Sequence, residues 1–332
     1  MIEGLNVAPR APAVLVTVAR VEGSVPREPG ARMLVQADRF HGTIGGGHLE
    51  HRALEIARAM LQTGGAAQVE RFPLGPSLGQ CCGGIAWLAF EPADLAQLAL
   101  LDARRNDDTW RLVALGGAPR WALMDAAGRL LAGEAGPAFD RSRGTHVMEE
   151  GGRGWLVDAV LAPRAHLMLF GAGHVGAAIV RSLADLPCRV TWVDERDDLF
   201  PSTVPANVTL EATDTPEALV EKAPQGTSFL VMTHSHALDL RLSHAILCRP
   251  LAARPGMDWF GLIGSETKRR QFEHRLRERG IRAERLDAMV CPIGLPGIEG
   301  KAPAVIAASV AAQLLSIWEA AARQPDVSSE VN

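Results

Sequence analysis

The segment LGQCCGG, residues 78–84, places two adjacent cysteines in front of two glycines. Thiolates are soft ligands and good nucleophiles, and the glycines let another group approach the sulfur atoms closely. Three chemistries fit Cys81 and Cys82: ligation of a thiophilic metal or metal cofactor, sulfur transfer through a persulfide, or a redox disulfide. We rank the disulfide last because neighbouring cysteines close only a strained ring. The alternative is that the two cysteines have no chemical role and are simply small residues buried in a tight corner of the fold.

A second group of candidate binding residues lies upstream, in GSVPR and HGTIGGGHLE. Gly45, Gly46 and Gly47 precede a helical pattern, so their backbone N–H groups would meet an anion at the positive end of a helix. Arg27 would supply a bidentate partner for that anion. A tight turn needs only one such glycine and loop arginines are often merely solvated, but three successive glycines favour close approach of a ligand.

The segment FGAGHVG carries a third candidate site, with Gly171, Gly173 and Gly176 in a G-x-G-x-x-G turn. An apolar strand precedes it, an amphipathic helix follows, and the next strand ends in Asp194, 23 residues after Gly171. This spacing is typical of the acidic residue that meets a ribose hydroxyl in a Rossmann fold. The same glycines serve close helix–strand packing, so the pattern predicts the fold and leaves open whether a nucleotide binds.

The segment THSHALD places His234, His236 and Asp239 just after a predicted strand, where α/β sheets bind ligands. Histidine and aspartate are common metal ligands, and His234 would also be able to act as the catalytic acid or base beside a nicotinamide. No further ligand follows at suitable spacing, so we favour a helix cap and hydrogen-bonded histidines over a zinc site. We interpret the remaining cysteines as structural; they are Cys188, Cys248 and Cys291.

The elements around these residues predict two domains in an α/β protein. Residues 1–162 predict an N-terminal α+β domain of short strands, glycine-rich loops and helices, and it carries the cysteine pair. Residues 163–322 alternate strands with helices and predict a Rossmann-like doubly wound domain. The polar residues 323–332 predict a disordered tail.

Composition narrows the class of protein. Of the 332 residues, 47% are hydrophobic and 22% charged, which is typical of a globular protein. A net charge of −4 does not indicate nucleic acid as a partner. The first twenty residues lack a secretory signal, no segment is long and apolar enough to suggest a membrane span, and the five cysteines do not form a disulfide framework. We therefore expect a reduced, cytoplasmic protein.

The order of the motifs resembles a known family, the xanthine dehydrogenase accessory proteins of the XdhC/CoxI type. GSVPREPGARMLV, GTIGGGHLE and LGPSLGQCCGG resemble its N-terminal domain, and FGAGHVG, THSHALDL, GLIGSETKRRQF and CPIGLPGIEGKAPAVIAASVAAQLL resemble its Rossmann domain. The resemblance extends from about Val14 to Leu315. Cys291 departs from it, because a histidine is expected there.

This resemblance implies a molybdenum cofactor chaperone rather than a catalyst. Such a protein would bind molybdopterin carrying molybdenum, protect it from oxidation, support its sulfuration with a cysteine desulfurase, and deliver it to apo-xanthine dehydrogenase. Cys81 or Cys82 would contact molybdenum or carry sulfur to it. Gly45 to Gly47 and Arg27 would receive the anionic end of the cofactor.

Two other functions remain open from the residues alone. An NAD(P)-dependent oxidoreductase would use the Rossmann domain from Gly171 to Asp194 with His234, and NADH or NADPH titration discriminates it. A thiol sulfurtransferase would work through Cys81 and Cys82, and a persulfide formed without cofactor would favour it. We also expect a homodimer, for which the apolar last helix is a candidate contact surface, although burial within the monomer would use that helix equally well.

Overall fold

The computed structural model describes residues 12–75, 83–250 and 258–323. Contacts between Cα atoms divide the chain into two compact units, residues 1–162 and 163–332. The six clusters of buried apolar side chains respect this division: two draw only on residues from Ala165 onward, and four only on residues up to Val160. Each unit therefore has its own hydrophobic core. Cys81, Cys82 and the predicted tail from 324 lie outside the described residues.

The N-terminal unit begins with an antiparallel sheet in the order β3-β2-β1-β5-β4, covered on one face by helix α1. Leu49, Ala53 and Ala57 of α1 are buried at the helical spacing that the sequence predicts. The elements are β1 (Val14–Glu22), β2 (Arg32–Val35), β3 (Phe40–Gly42), α1 (Gly47–Thr63), β4 (Gln68–Pro73) and β5 (Ile85–Pro92).

A second antiparallel sheet completes the unit, in the order β8-β7-β6-β10-β9, with one helix before it. Its elements are α2 (Leu95–Ala103), β6 (Thr109–Ala114), β7 (Trp121–Asp125), β8 (Leu130–Gly133), β9 (His146–Glu150) and β10 (Arg153–Val160). β1 is buried on both faces because it lies between α1 and this second sheet. Val16 packs towards α1, whereas Leu15 packs with Leu123 and Val160. This explains the uninterrupted apolar run of β1.

The C-terminal unit is a six-stranded parallel sheet in the order β13-β12-β11-β14-β15-β16. The chain runs outward from β11 to β13, crosses back, and continues from β14, so the order reverses between β11 and β14. Its strands are β11 (Ala165–Phe170), β12 (Cys188–Asp194), β13 (Val208–Ala212), β14 (Thr227–Val231), β15 (Phe260–Leu262) and β16 (Met289–Val290). The predicted Rossmann-like fold is confirmed.

Helices cover both faces of this sheet. One core cluster joins the sheet to α4 (Pro216–Lys222), α5 (His236–Cys248), α6 (Glu266–Glu278) and α7 (Ala283–Asp287). The other joins it to α3 (His174–Ser182) and α8 (Pro303–Ala322). Burial of both sheet faces is the reason that the strands are nearly continuous apolar runs.

Helix α8 corrects one expectation from the sequence. With 20 residues and a mean hydropathy of 1.6, it is long and apolar enough by length and composition to cross a membrane. Its buried side packs into the core shared with α3, through Val310, Leu314 and Trp318. Trp318 Nε1 also donates to Ser228 Oγ, 3.1 Å away. We interpret α8 as a core helix of the C-terminal unit.

Candidate functional site

The chain on either side of the cysteine segment is held against the loop after β1. The N–H of Leu74 donates to the carbonyl of Gly84 at 2.9 Å, and the N–H of Gly84 donates to the carbonyl of Ser24 at 3.0 Å. A Cβ on Gly84 would lie 2.4 Å from Ser24 O, so this approach requires glycine. Cys82 is two residues from Gly84 in the sequence. The described residues therefore fix where the cysteine segment leaves and rejoins the sheet.

The glycine segment Gly45–Gly47, which leads into α1, contacts the same loop through Gly45. The φ angles of its three glycines are 123°, 73° and 63°, a region that favours glycine. A Cβ on Gly45 would lie 2.4 Å from Pro26 Cγ and 3.5 Å from Arg27 Cγ, whereas one on Gly46 meets no atom within 4 Å. Gly45 thus packs on the Pro26–Arg27 segment, and Gly46 faces open space. The structure brings Arg27 and the glycine segment together.

Glu50 occupies part of the helix N-terminus that the sequence assigns to an anion. Its Oε2 accepts from Thr43 Oγ1 at 2.6 Å and from the N–H groups of Ile44 and Gly46 at 3.3 and 3.2 Å. The N–H of Gly45 is satisfied by Thr43 Oγ1. A carboxylate of the chain itself therefore uses these donors, and Gly47 begins the helical N–H groups left for a ligand. The capping position of Glu50 was not anticipated from the sequence.

The three glycines of the Rossmann turn have different structural roles. A Cβ on Gly171 would lie 2.4 Å from Met232 O, and one on Gly176 would lie 2.2 Å from Gly171 O. These two glycines are required by backbone packing alone. Gly173, the N-cap of α3, has no atom within 4 Å of such a Cβ. Open space therefore lies over Gly173, where a ligand phosphate could approach the helix.

Asp194 is buried, and its carboxylate is fully used within the protein. Oδ2 accepts from the N–H of Ala172 at 2.7 Å and from Arg196 Nη2 at 3.0 Å. Oδ1 accepts from the N–H and Nε of Arg196 at 3.0 and 2.9 Å. Burial would raise the pKa of Asp194, but the hydrogen bonds from Arg196 and Ala172 lower it. A ribose diol would reach this carboxylate only after Arg196 moved.

His234 and Asp194 line one small cavity of about 10 Å³ at the carboxyl ends of the strands, together with Thr233 and Glu195. This is room for about one water molecule. His234 Nε2 lies 3.3 Å from Glu195 Oε1, and both side chains are partly exposed. The structure thus places the histidine near the Rossmann turn, where a polar ligand could contact it.

His234, His236 and Asp239 do not converge on one point. The ring of His236 lies edge-on to Phe272, with the centroids 6.4 Å apart. Within residues 12–75, 83–250 and 258–323, no three His, Cys, Asp or Glu side chains are close enough to hold a metal ion. The segment begins helix α5, and its N-cap is Ser235, whose Oγ accepts from the N–H of Leu238.

Asp239 instead binds Lys268, a residue that sequence reasoning missed. Lys268 Nζ donates to Asp239 Oδ2 at 2.7 Å and to the carbonyl of Ile263 at 2.8 Å. Asp239 Oδ1 accepts from Thr233 Oγ1 at 2.7 Å. A Cβ on Gly264 would lie 2.6 Å from Lys268 Cδ, so glycine at this position leaves room for the lysine side chain. The motifs THSHALD and GSETK therefore form one buried ion pair at the carboxyl edge of the sheet.

Cys291 is buried beside this cluster. Burial raises its pKa to about 11, against the opposing effect of Lys268 and Arg269. Cys188 is likewise buried, and burial raises its pKa to about 11. Cys248 is exposed, with Sγ 3.7 Å from His244 Nε2.

Models of known protein families match a segment of each unit. Residues 7–73 match the model described as the XdhC and CoxI family, and residues 167–314 match the one described as the XdhC Rossmann domain. The chain belongs to the XdhC and CoxI family. Cys81 and Cys82 lie between the two matched segments.

Two relatives show how far this similarity extends. The chain is 27% identical over 308 residues to the uncharacterized protein YqeB of Escherichia coli strain K12. That match covers 92% of this chain but 43% of YqeB, so the chain spans less than half of this relative. A crystal structure described as a xanthine dehydrogenase from Bacillus halodurans is 23% identical, with a TM-score of 0.70 over 96% of this chain and 95% of the other. At this identity the likeness establishes the fold.

Proposed function

We propose that this protein is a maturation factor that binds a molybdenum cofactor as cargo and delivers it to an enzyme of the xanthine dehydrogenase class. Membership of the XdhC and CoxI family supports this role. The observation that carries the proposal is a set of contacts at one end of the strands of the first sheet. There the ends of the cysteine segment, the Pro26–Arg27 loop and the glycines before α1 meet around Ser24 and Gly45.

The residues at this end of the sheet suit the two ends of the cargo. Molybdenum is a thiophilic centre, which the thiolate of Cys81 or Cys82 would ligate. The cofactor also carries a phosphate, which Arg27 and the first N–H groups of α1 would receive. Glu50 already occupies part of that helix end, so the phosphate would lie towards Gly47. Few ligands to the metal suit a carrier, because the cargo must leave again.

The finer parts of the proposal follow from this carrier role. Enclosure of the bound cofactor would protect it from oxidation, and its sulfuration needs a sulfur donor, for which a cysteine desulfurase is the matching partner class. We place the protein in the cytoplasm, where cysteine thiols stay reduced. A homodimer would use the exposed side of α8, which includes Val305.

A nucleotide-dependent function has one observation in its favour, the open space over Gly173. The engagement of Asp194 by Arg196 and Ala172 weighs against it, because this carboxylate would accept from a ribose diol only after Arg196 moved. We therefore rank an oxidoreductase below the maturation factor, and a thiol sulfurtransferase below both.

The test is cofactor retention by the intact chain. The purified protein is incubated anaerobically with molybdenum cofactor and gel-filtered, and molybdenum and oxidised pterin are measured in the protein peak. We expect near-stoichiometric retention by the wild type and loss of at least tenfold in the double variant Cys81→Ala/Cys82→Ala, because the thiolates hold the metal.

Cys248→Ala is the matched control, since it removes an exposed thiol of the other unit. It should retain the cofactor as the wild type does. Wild-type protein that emerges without molybdenum or pterin would overturn the proposal. Retention by the double variant would overturn the role of the two cysteines alone.

A further inference from the structure

The N-terminal unit contains a cavity of about 380 Å³ away from the glycine loops. This volume lies within the range of small-molecule pockets. Leu95 is among its lining residues and is 48% exposed. The walls are mainly apolar and come from the start of β4, the end of β5, α2, β6 and β7; the apolar lining residues are Ala66, Ala67, Pro92, Ala93, Leu95, Val113, Ala114, Pro119 and Trp121.

Two buried polar side chains, Glu91 and Gln97, also line this cavity; they are 7% and 3% exposed. Both are held by one guanidinium. Arg111 Nη2 donates to Glu91 Oε1 and Arg111 Nη1 donates to Gln97 Oε1, each at 2.7 Å. Because Nη1 and Nη2 belong to the same planar group, the carboxylate and the amide lie side by side.

Each of these side chains keeps one polar atom for a ligand. A guanidinium can only donate, so the amide oxygen of Gln97 must face Arg111 and its NH₂ group must point elsewhere. Among the described residues, neither this NH₂ group nor Glu91 Oε2 has a hydrogen-bond partner. Neither atom is sealed from solvent. The cavity therefore offers one hydrogen-bond acceptor beside one donor.

We propose that this cavity binds a planar nitrogen heterocycle through a cyclic lactam edge, an N–H beside a C=O. The N–H would donate to Glu91 Oε2, and the carbonyl would accept from the Gln97 amide. Trp121 and Val113 would provide the apolar contact for the ring. Oxopurines and oxopteridines share this edge, and both fit the volume.

The charges around the cavity disfavour an anionic ligand. Arg32 and Arg111 balance Glu91 and Asp158 in the buried cluster behind it. Arg120 lines the cavity but is paired with Glu134 at 3.0 Å. Asp94 also lines the cavity, and its Oδ1 caps α2 by accepting from the N–H groups of Ala96 and Gln97. An anionic ligand would therefore be desolvated beside carboxylates, with every arginine named here already paired.

This site is separate from the one proposed for the cofactor. Glu91 lies six residues along β5 from Ile85, where the strand begins after the cysteine segment. Six residues of strand span roughly 20 Å, so one small cofactor could not occupy both ends. The inference therefore stands independently of the maturation role.

Calorimetric titration of the full chain tests the proposal, with hypoxanthine and pterin as probes and unsubstituted purine as the control without a carbonyl. We expect saturable one-to-one binding of hypoxanthine or pterin, and at least tenfold weaker binding of purine. The tighter of the two probes identifies the ring system. Absence of saturable binding of both probes, or equal binding of purine, would refute the lactam site.

Two variants in the cavity wall and one control on α2 locate the binding. Ala93→Leu adds bulk at the cavity wall and should weaken binding at least tenfold, whereas Ala99→Leu, on an exposed position of α2, should leave it unchanged. Glu91→Gln should also weaken binding, because its amide oxygen would face Arg111 and its NH₂ would meet the ligand N–H. Unchanged affinity of Ala93→Leu, or loss of binding in Cys81→Ala/Cys82→Ala, would place the ligand elsewhere and overturn the assignment.

Discussion

The described cysteines differ sharply in their surroundings, and their reactivity should differ accordingly. Cys188 and Cys291 are buried, and burial raises the pKa of each thiol from 9.0 to about 11. At a pH below both values this leaves about 100-fold less of the reactive thiolate. Cys248 is exposed beside His244.

Alkylation with iodoacetamide at pH 8 should therefore modify Cys248 in the folded protein, while Cys188 and Cys291 react only after unfolding in urea. Peptide mass spectrometry measures the three sites separately. Labelling of Cys291 as fast as that of Cys248 would contradict the burial of this thiol.

His166 makes folding stability depend on pH. Its ring nitrogens lie 3.2 Å from Thr227 Oγ1 and 2.9 Å from Thr191 Oγ1, between neighbouring strands. Burial, and to a lesser extent Arg189, lowers the pKa of His166 from 6.5 to about 4. Between these values the unfolded chain binds a proton that the folded chain does not, so stability falls as pH falls through this window.

From pH 7 to pH 5 this residue should cost about 2 kcal/mol of the free energy of unfolding. Urea unfolding at both pH values should show a smaller loss for His166→Gln than for the wild type. His274→Gln, at an exposed position of α6, should lose as much as the wild type. Equal losses in all three proteins would show that His166 does not titrate in this way.

At the scale of elements, the two sheets of the N-terminal unit are joined through buried charges. Asp158 on β10 accepts from Arg32 Nε on β2 at 3.0 Å and from Arg111 Nε on β6 at 2.9 Å. Burial would raise the pKa of Asp158, but the two arginines lower it to about 2. Burial raises the pKa of Glu91 despite Arg111. The cluster thus ties β2 and β5 of one sheet to β6 and β10 of the other.

Asp158→Asn should destabilise the N-terminal unit by about 3–5 kcal/mol, because it leaves buried arginine charge uncompensated. Thermal or urea unfolding measures this loss. Asp102→Asn, which breaks an exposed pair with Arg105, should cost under about 1 kcal/mol. Similar effects of the two substitutions would contradict a structural role of the buried cluster.

For the whole molecule, the separate cores predict that each unit folds by itself. The core clusters of the C-terminal unit begin at Ala165, and Leu161 just before it is 51% exposed. We expect fragments 12–162 and 163–323 to unfold cooperatively when produced separately, as circular dichroism during heating would show. A non-cooperative transition in either fragment would mean that its core is incomplete alone.

The sequence alone determined the local elements and the motifs. Apolar spacing identified α1, and the strand–glycine–helix–strand pattern around Gly171 identified the Rossmann turn, because both depend on neighbours within a few residues of each other. The same local reading marked Arg27 and Gly45, which the structure places together. For the cysteine pair, the chemistry read from the sequence remains a prediction.

Only the tertiary structure decided how the charged and polar side chains pair. Arg32 and Asp158 are 126 residues apart, and Lys268 and Asp239 are 29 apart, so no local spacing predicts either contact. Asp194 matched the ribose-binding pattern, but its surroundings supply Arg196 and Ala172 instead. The cavity beside Glu91 and Gln97 likewise exists because two sheets and α2 meet there. Hydrogen-bond partners are set by the packing of distant elements, which hydrophobic periodicity does not encode.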